Sequence, residues 1–207
     1  AQSQAAAGRR FQAPEYGTFV HYVLEHMLQD TAWKVEDGSG GWTWDRSQVR
    51  KQIRAIMEQY IAQELGGLES KSPRFLYLFS RLQRPVTQVV ENVLEELSVS
   101  RFQPISFELG FGNRGDLPPV ELTVEGVTIS VSGFVDRVDG WVRDGRLYLR
   151  VVDYKTGRKS FDLTEIWNGM GLQMLLYLFT LEEKGKTLYN MDVTGAGVLY
   201  LPARDAV

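Results

Sequence analysis

Hydrophobic residues recur at helical spacing through the first half of the chain and at every second position through much of the second. From Thr18, read as an N-cap, Val20, Val23, Leu24, Met27 and Leu28 form one stripe and predict an amphipathic helix to about Gln29. Val49, Ile53, Ile56, Met57, Tyr60 and Ile61 predict a second helix, from about Ser47 to Leu65, with Gly66 as its stop. Ser72-Pro73 opens a third, because proline suits the first helical turn, and its apolar positions run from Phe75 past Pro85 to Leu97. Pro85 should kink or divide it. Residues 30–45 read as a loop around Asp37-Gly38-Ser39-Gly40-Gly41, with Trp33, Trp42 and Trp44 packed onto the helices rather than stacked on nucleobases.

Then the period shortens. Ile105, Phe107, Leu109 and Phe111 alternate with Ser106, Glu108 and Gly110, a half-buried strand with Glu108 on the face opposite Phe107. After a turn-rich loop from Gly112 to Pro119, Val120–Val124, a Glu125-Gly126 turn and Val127 onward predict a meander. Leu163 to Leu181 is helical, with a break near Asn168-Gly169, and Gln173 and Tyr177, four apart, share one face. Tyr177 there is more often a packed aromatic with one hydrogen bond than a functional group. Thr194 to Leu201 reads as an apolar strand in an interior position. The fold class is α+β. One domain is expected, a helical layer over residues 11–100 and a mixed sheet with a helix behind it over 101–201.

The chemistry concentrates between Gly133 and Lys155. Asp144-Gly145, set between two strand-like runs, is a strong signal for a two-residue hairpin turn. Counting back from it sets Trp141 opposite Tyr148, Asp139 opposite Arg150 and Asp136 opposite Asp153. Like charges directly opposed, with Cβ atoms about 4.5–5.5 Å apart, are unfavourable. Because strand side chains alternate, Lys155 points the same way as Asp153, and Tyr154 the other. Two carboxylates and an amine therefore meet on one face. A hard divalent ion accepts such a seat, completing its shell with water and phosphate oxygens, and the lysine could orient a water or offset phosphoryl charge. A bland reading stands beside this, in which Arg137, Arg150 or Arg158 neutralises both acids in a structural patch.

Composition narrows the choice only in part. Hydrophobic content of 43% and mixed charge of 24% describe an ordered soluble protein, and no uncharged run is long enough to span a bilayer. The opening residues lack the apolar core of a signal peptide, so a cytoplasmic location is expected by default. With no cysteine there are no thiolate ligands or nucleophiles, and only His21 and His26 offer imidazole. The net charge of −3 argues mildly against nucleic acid, but Lys71, Arg74, Arg81 and Arg84 fall in a stretch, residues 71–90, without any acid. A basic track on an acidic protein is compatible with those numbers. His21, one turn from Glu25 on a helix flank, reads equally as a ligand or as a core-edge residue.

In order along the chain, Gly17-Thr18-Phe19-Val20-His21 with Glu25, then Gly133-Phe134-Val135-Asp136-Arg137-Val138-Asp139, then Asp153-Tyr154-Lys155-Thr156-Gly157, then Gln173 with Tyr177, resemble the RecB-type nucleases of the PD-(D/E)XK superfamily. The similarity extends over nearly the whole chain. It implies that His21, Asp136 and Asp153, with the backbone carbonyl of Tyr154, hold Mg²⁺ or Mn²⁺. By the same resemblance Lys155 activates the attacking water, Gln173 and Tyr177 lie beside the scissile phosphate, and Glu25 supports His21. The implied partners are a single DNA strand fed by a motor, a helicase–nuclease partner subunit in a bacterial cytoplasm, and the remainder of a longer parent chain, with no membrane. Members of this group usually carry four cysteines for an iron–sulfur cluster, which this Cys-free chain cannot hold. The alternatives are a nuclease-like DNA-binding scaffold without cutting activity and a stand-alone exonuclease.

Overall fold

A computed structural model describes residues 13–156 and 171–204. They divide into two compact units, one helical up to Ser98 and one built on strands from Val99 to Pro202.

In the helical unit, α1 (Ala13–Gln29) begins five residues before Thr18, because the Ala13-Pro14 opening already satisfies a first helical turn. A small hairpin of β1 (Lys34–Glu36) and β2 (Trp42–Trp44) occupies the stretch expected to be loop; its strands are three residues each, too short for periodicity to register. Trp33 beside it is buried and donates its indole N–H to the Met27 carbonyl at 2.7 Å, a packing role. α2 (Arg46–Glu64) is capped by Asp45, whose carboxylate accepts the Gln48 amide at 3.0 Å. Ser72 likewise caps α3 (Pro73–Ser80) by accepting the Phe75 amide, with Pro73 in the first turn. The chain breaks at Arg81-Leu82, and Pro85 lies in the opening turn of α4 (Gln83–Val99). Proline thus divides the predicted helix by starting the next one. Phe19 rests against Tyr60 and Phe79 at 5.1 and 5.0 Å, joining α1, α2 and α3 in one apolar centre.

The second unit carries a four-stranded mixed sheet in the order β3 (Gln103–Phe111), β6 (Gly133–Arg143), β7 (Arg146–Lys155), β8 (Val193–Pro202). The first two pairings are antiparallel and β7 runs parallel to β8. β4 (Val120–Val124) and β5 (Val127–Val131) form a separate hairpin rather than a meander continuous with that sheet. β8 is an edge strand among the described residues and mostly half-buried, so its apolar run does not mark an interior position. Its apolar residues serve contact with α5 (Gly171–Lys184) instead. Leu178 and Leu181 of α5 join Val138, Leu149 and Val151 of the sheet in one buried cluster. A short helix, α6 (Lys186–Tyr189), ends at Asn190 in the left-handed region and leads into β8. The predicted helix segment before Gly171, including Asn168-Gly169, and Arg158 lie outside the described residues. No helix of the described residues is long and apolar enough to cross a membrane.

Candidate active site

The Asp144-Gly145 turn fixes the β6–β7 register as the sequence predicts. Arg143 pairs with Arg146, Trp141 with Tyr148 and Asp139 with Arg150, and the ladder runs to Arg137 opposite Val152. Asp136 and Asp153 occupy the next position beyond it. There the two strands remain tied, since the Tyr154 amide donates to Asp136 Oδ2 at 2.8 Å. The Asp153 carboxylate forms an ion pair with Lys155 Nζ, both side chains partly exposed. Lys155 Nζ also stands 5.4 Å from the centre of the Tyr200 ring, and Tyr200 is paired with Asp153 across β7 and β8. Burial and the Asp153 charge together push the Tyr200 hydroxyl above its ordinary pKa.

The guanidinium groups invoked by the bland reading are engaged by a different acid. Asp139 is fully buried; Arg137 grips it through Nε at 2.7 Å and Nη2 at 2.9 Å, and Arg150 Nε adds a third contact at 2.8 Å. Arg137 Nη1 donates to the Tyr154 hydroxyl at 2.7 Å. Burial alone would lower the Arg137 pKa, but Tyr154 and Asp139 outweigh it and hold the guanidinium charged. Burial pushes the Tyr154 hydroxyl up to about 12. Side-chain alternation puts Arg137, Asp139, Arg150 and Tyr154 on one face of the hairpin, and Asp136, Asp153 and Lys155 on the other.

Gln173 and Tyr177 do meet: the Gln173 side-chain amide donates to the Tyr177 hydroxyl at 2.6 Å. Tyr177 is fully buried, its ring stacked on Phe111 at 4.5 Å. Gly133, which opens β6, makes room for it, because a Cβ there would collide with the Tyr177 hydroxyl. Tyr177 is therefore a packed aromatic whose hydroxyl emerges at the head of the strand that carries Asp136. His21 sits half-buried on α1 with Glu25 one turn on, both in the helical unit.

Glu108 lies between the pairs Phe107–Arg137 and Leu109–Val135, so the register sets it across from Asp136. Its φ of 44° is in the left-handed region, uncommon for a residue with a Cβ, and its side chain is exposed. Nothing local in the sequence points to Tyr200, because a parallel crossover leaves no short turn from which to count.

Among the described residues no three His, Cys, Asp or Glu side chains gather into a ready cage for a metal ion. Two carboxylates flanking the Tyr154 peptide suit a hard cation that takes its remaining ligands from water and phosphate. The donors are all oxygen, which favours magnesium or manganese over softer metals.

The model of the PD-(D/E)XK nuclease superfamily matches residues 2–206. The chain belongs to that superfamily. Curated relatives of this nuclease chain include proteins whose names place them as one component of an ATP-dependent helicase/deoxyribonuclease. The one from Clostridioides difficile is 33% identical over 92% of this chain, and that from Acetivibrio thermocellus 32% identical over 94%. A third, from Symbiobacterium thermophilum, is 32% identical over 99%. The chain spans only 16%, 17% and 18% of the length of these three.

Proposed function

We propose that this PD-(D/E)XK chain is a divalent-metal-dependent deoxyribonuclease domain that hydrolyses DNA phosphodiester bonds. It would work as one part of a longer polypeptide in a helicase–nuclease assembly that processes double-strand breaks, receiving a single strand from the motor. The reading rests above all on the facing positions of Asp136 and Asp153, with Lys155 two residues along on the same side.

Asp136 and Asp153, the Tyr154 carbonyl and His21 are the residues assigned to Mg²⁺ or Mn²⁺. Such an ion supplies Lewis-acid stabilisation of charge on a phosphoryl oxygen. Lys155, tethered to Asp153, would hold the attacking water by donating a hydrogen bond to it and offset negative charge as the phosphorane-like transition state forms. The Gln173 and Tyr177 pair, set over Gly133, would position the scissile phosphate. Tyr177 acts there by fixing the Gln173 amide, since its own ring is committed to Phe111.

The test is incubation of the chain with end-labelled linear DNA in EDTA, Mg²⁺ or Mn²⁺, beside a Lys155→Ala variant. Cleavage that needs the metal and disappears in the variant, with DNA binding retained, is expected. Cutting in EDTA, or parental turnover by the variant, would overturn the assignment.

A further inference from the structure

In the helical unit the first turns of α2 and α4, together with the end of α3, enclose a cleft of about 570 Å³ lined by Arg46, Arg50, Arg81 and Arg84. Glu91 is the lone carboxylate in that lining. It meets Arg46 Nε only at 3.9 Å, a long contact for an arginine whose side chain is 73% exposed. Arg50 and Arg84 have no carboxylate partner among the described residues. The neutral side chains around them are occupied elsewhere: Gln83 donates to the Arg50 carbonyl, Thr87 to the Gln83 carbonyl, and Gln88 to Asn92. What the cleft offers outward is therefore guanidinium N–H.

This concentration opposes both the overall charge of −3 and the helices themselves. α2 and α4 have no acidic residue in their first turns, so the arginines add positive charge to the positive ends of two helix dipoles. Such an arrangement repels itself until an anion enters. Guanidinium forks match phosphate oxygens in pairs, whereas a lysine would offer only a point charge. Beside the cleft, Tyr77 on α3 is 59% exposed, with the Arg81 guanidinium 5.9 Å from its ring centre and donating to its hydroxyl. A charged groove next to an open aromatic face is the combination that holds unpaired nucleotides, phosphates on the cations and a base on the ring.

We infer that this cleft binds a single DNA strand through its backbone phosphates, with one base stacked on Tyr77, at a site in the helical unit apart from the carboxylates of the sheet. The inference deepens the nuclease reading and rests on it for the identity of the strand.

The test measures binding of fluorescein-labelled oligothymidine to the 207-residue chain in EDTA, where cutting does not interfere. Arg50→Gln combined with Arg84→Gln should weaken binding at least tenfold and flatten the dependence of log K on log salt by about 1.4, two single-strand phosphate contacts at roughly 0.7 each. Tyr77→Ala should weaken it by about tenfold without altering the salt slope. Arg54→Gln, on the exposed side of α2 outside the cleft, should change neither. Parental affinity and slope in the double variant would overturn the site, as would a parent chain that does not bind the oligonucleotide. So would loss in the double variant of binding to polyglutamate while oligothymidine binding stays intact, since that identifies an acidic protein as the occupant. The nuclease reading stands or falls separately, on metal-dependent cutting by the parent chain; a chain that binds through the cleft but never cuts loses that reading and keeps this one.

Discussion

The Asp136 carboxylate accepts the backbone amide of Tyr154 at 2.8 Å, across the strand boundary and one residue from Asp153. The bond fixes one acid by the neighbour of the other, so their separation is set by main chain rather than by two free rotamers.

Asp136→Asn keeps an oxygen able to accept that amide while removing the charge. Cleavage should fall by two orders of magnitude or more, with a melting temperature within a few degrees of the parent. Gel-based cleavage and thermal denaturation on the same preparation check this; retained cutting would remove Asp136 from the metal seat.

Asp139 should matter for stability instead. Removing it leaves the fully buried Arg137 and the mostly buried Arg150 without their shared counter-charge, and breaking such a pair costs about 3–5 kcal/mol. Asp139→Ala is expected to lower the urea midpoint accordingly. A shift below about 1 kcal/mol would mean that water or another group reaches the guanidiniums.

Alkaline stability should depend on Tyr154, whose pKa rises from 10.0 to about 12 in the fold. Below pH 10 both folded and unfolded states hold the proton and the contribution is fully present. Between about pH 10 and 12 only the folded state keeps it, so stability declines at about 1.4 kcal/mol per unit from this group. Tyr154→Phe should remove that part of the slope, with a shallower decline remaining because burial also raises Tyr189. Urea titrations at pH 9 and 11 read it; an equal drop in variant and parent would place the cause in other tyrosines.

Gly133→Ala places a methyl group against the Tyr177 hydroxyl. Overpacking of this kind costs about 1–3 kcal/mol. Combining it with Tyr177→Phe should recover part of the loss, so the two changes will not add. Additive effects in denaturant titrations would show that α5 yields elsewhere.

Much of the candidate site was legible in the chain because one short turn carries it. Asp144-Gly145 sets a register that can be counted outward to Asp136 and Asp153, and helical spacing alone puts Gln173 beside Tyr177. Features without a local signal could not be counted in this way. The edge position of β8 and the proximity of Tyr200 to Lys155 follow from a parallel crossover, which no spacing encodes. The β1–β2 hairpin is too brief to show a period, and the left-handed backbone at Glu108 breaks an alternation that sequence alone treats as regular. That His21 lies on α1 was clear; what it approaches depends on the arrangement of two separately packed units, about which residue spacing is silent.

The buried quartet of Arg137, Asp139, Arg150 and Tyr154 has a further consequence. If β7 slid by one residue against β6, Arg150 and Tyr154 would swing into the solvent-facing row while Asp153 and Val151 turned inward, leaving Asp139 stranded without cations. Misaligned hairpins would thus be penalised during folding well before any substrate is present, and the pocket for phosphate chemistry comes into being only in molecules that have passed that check.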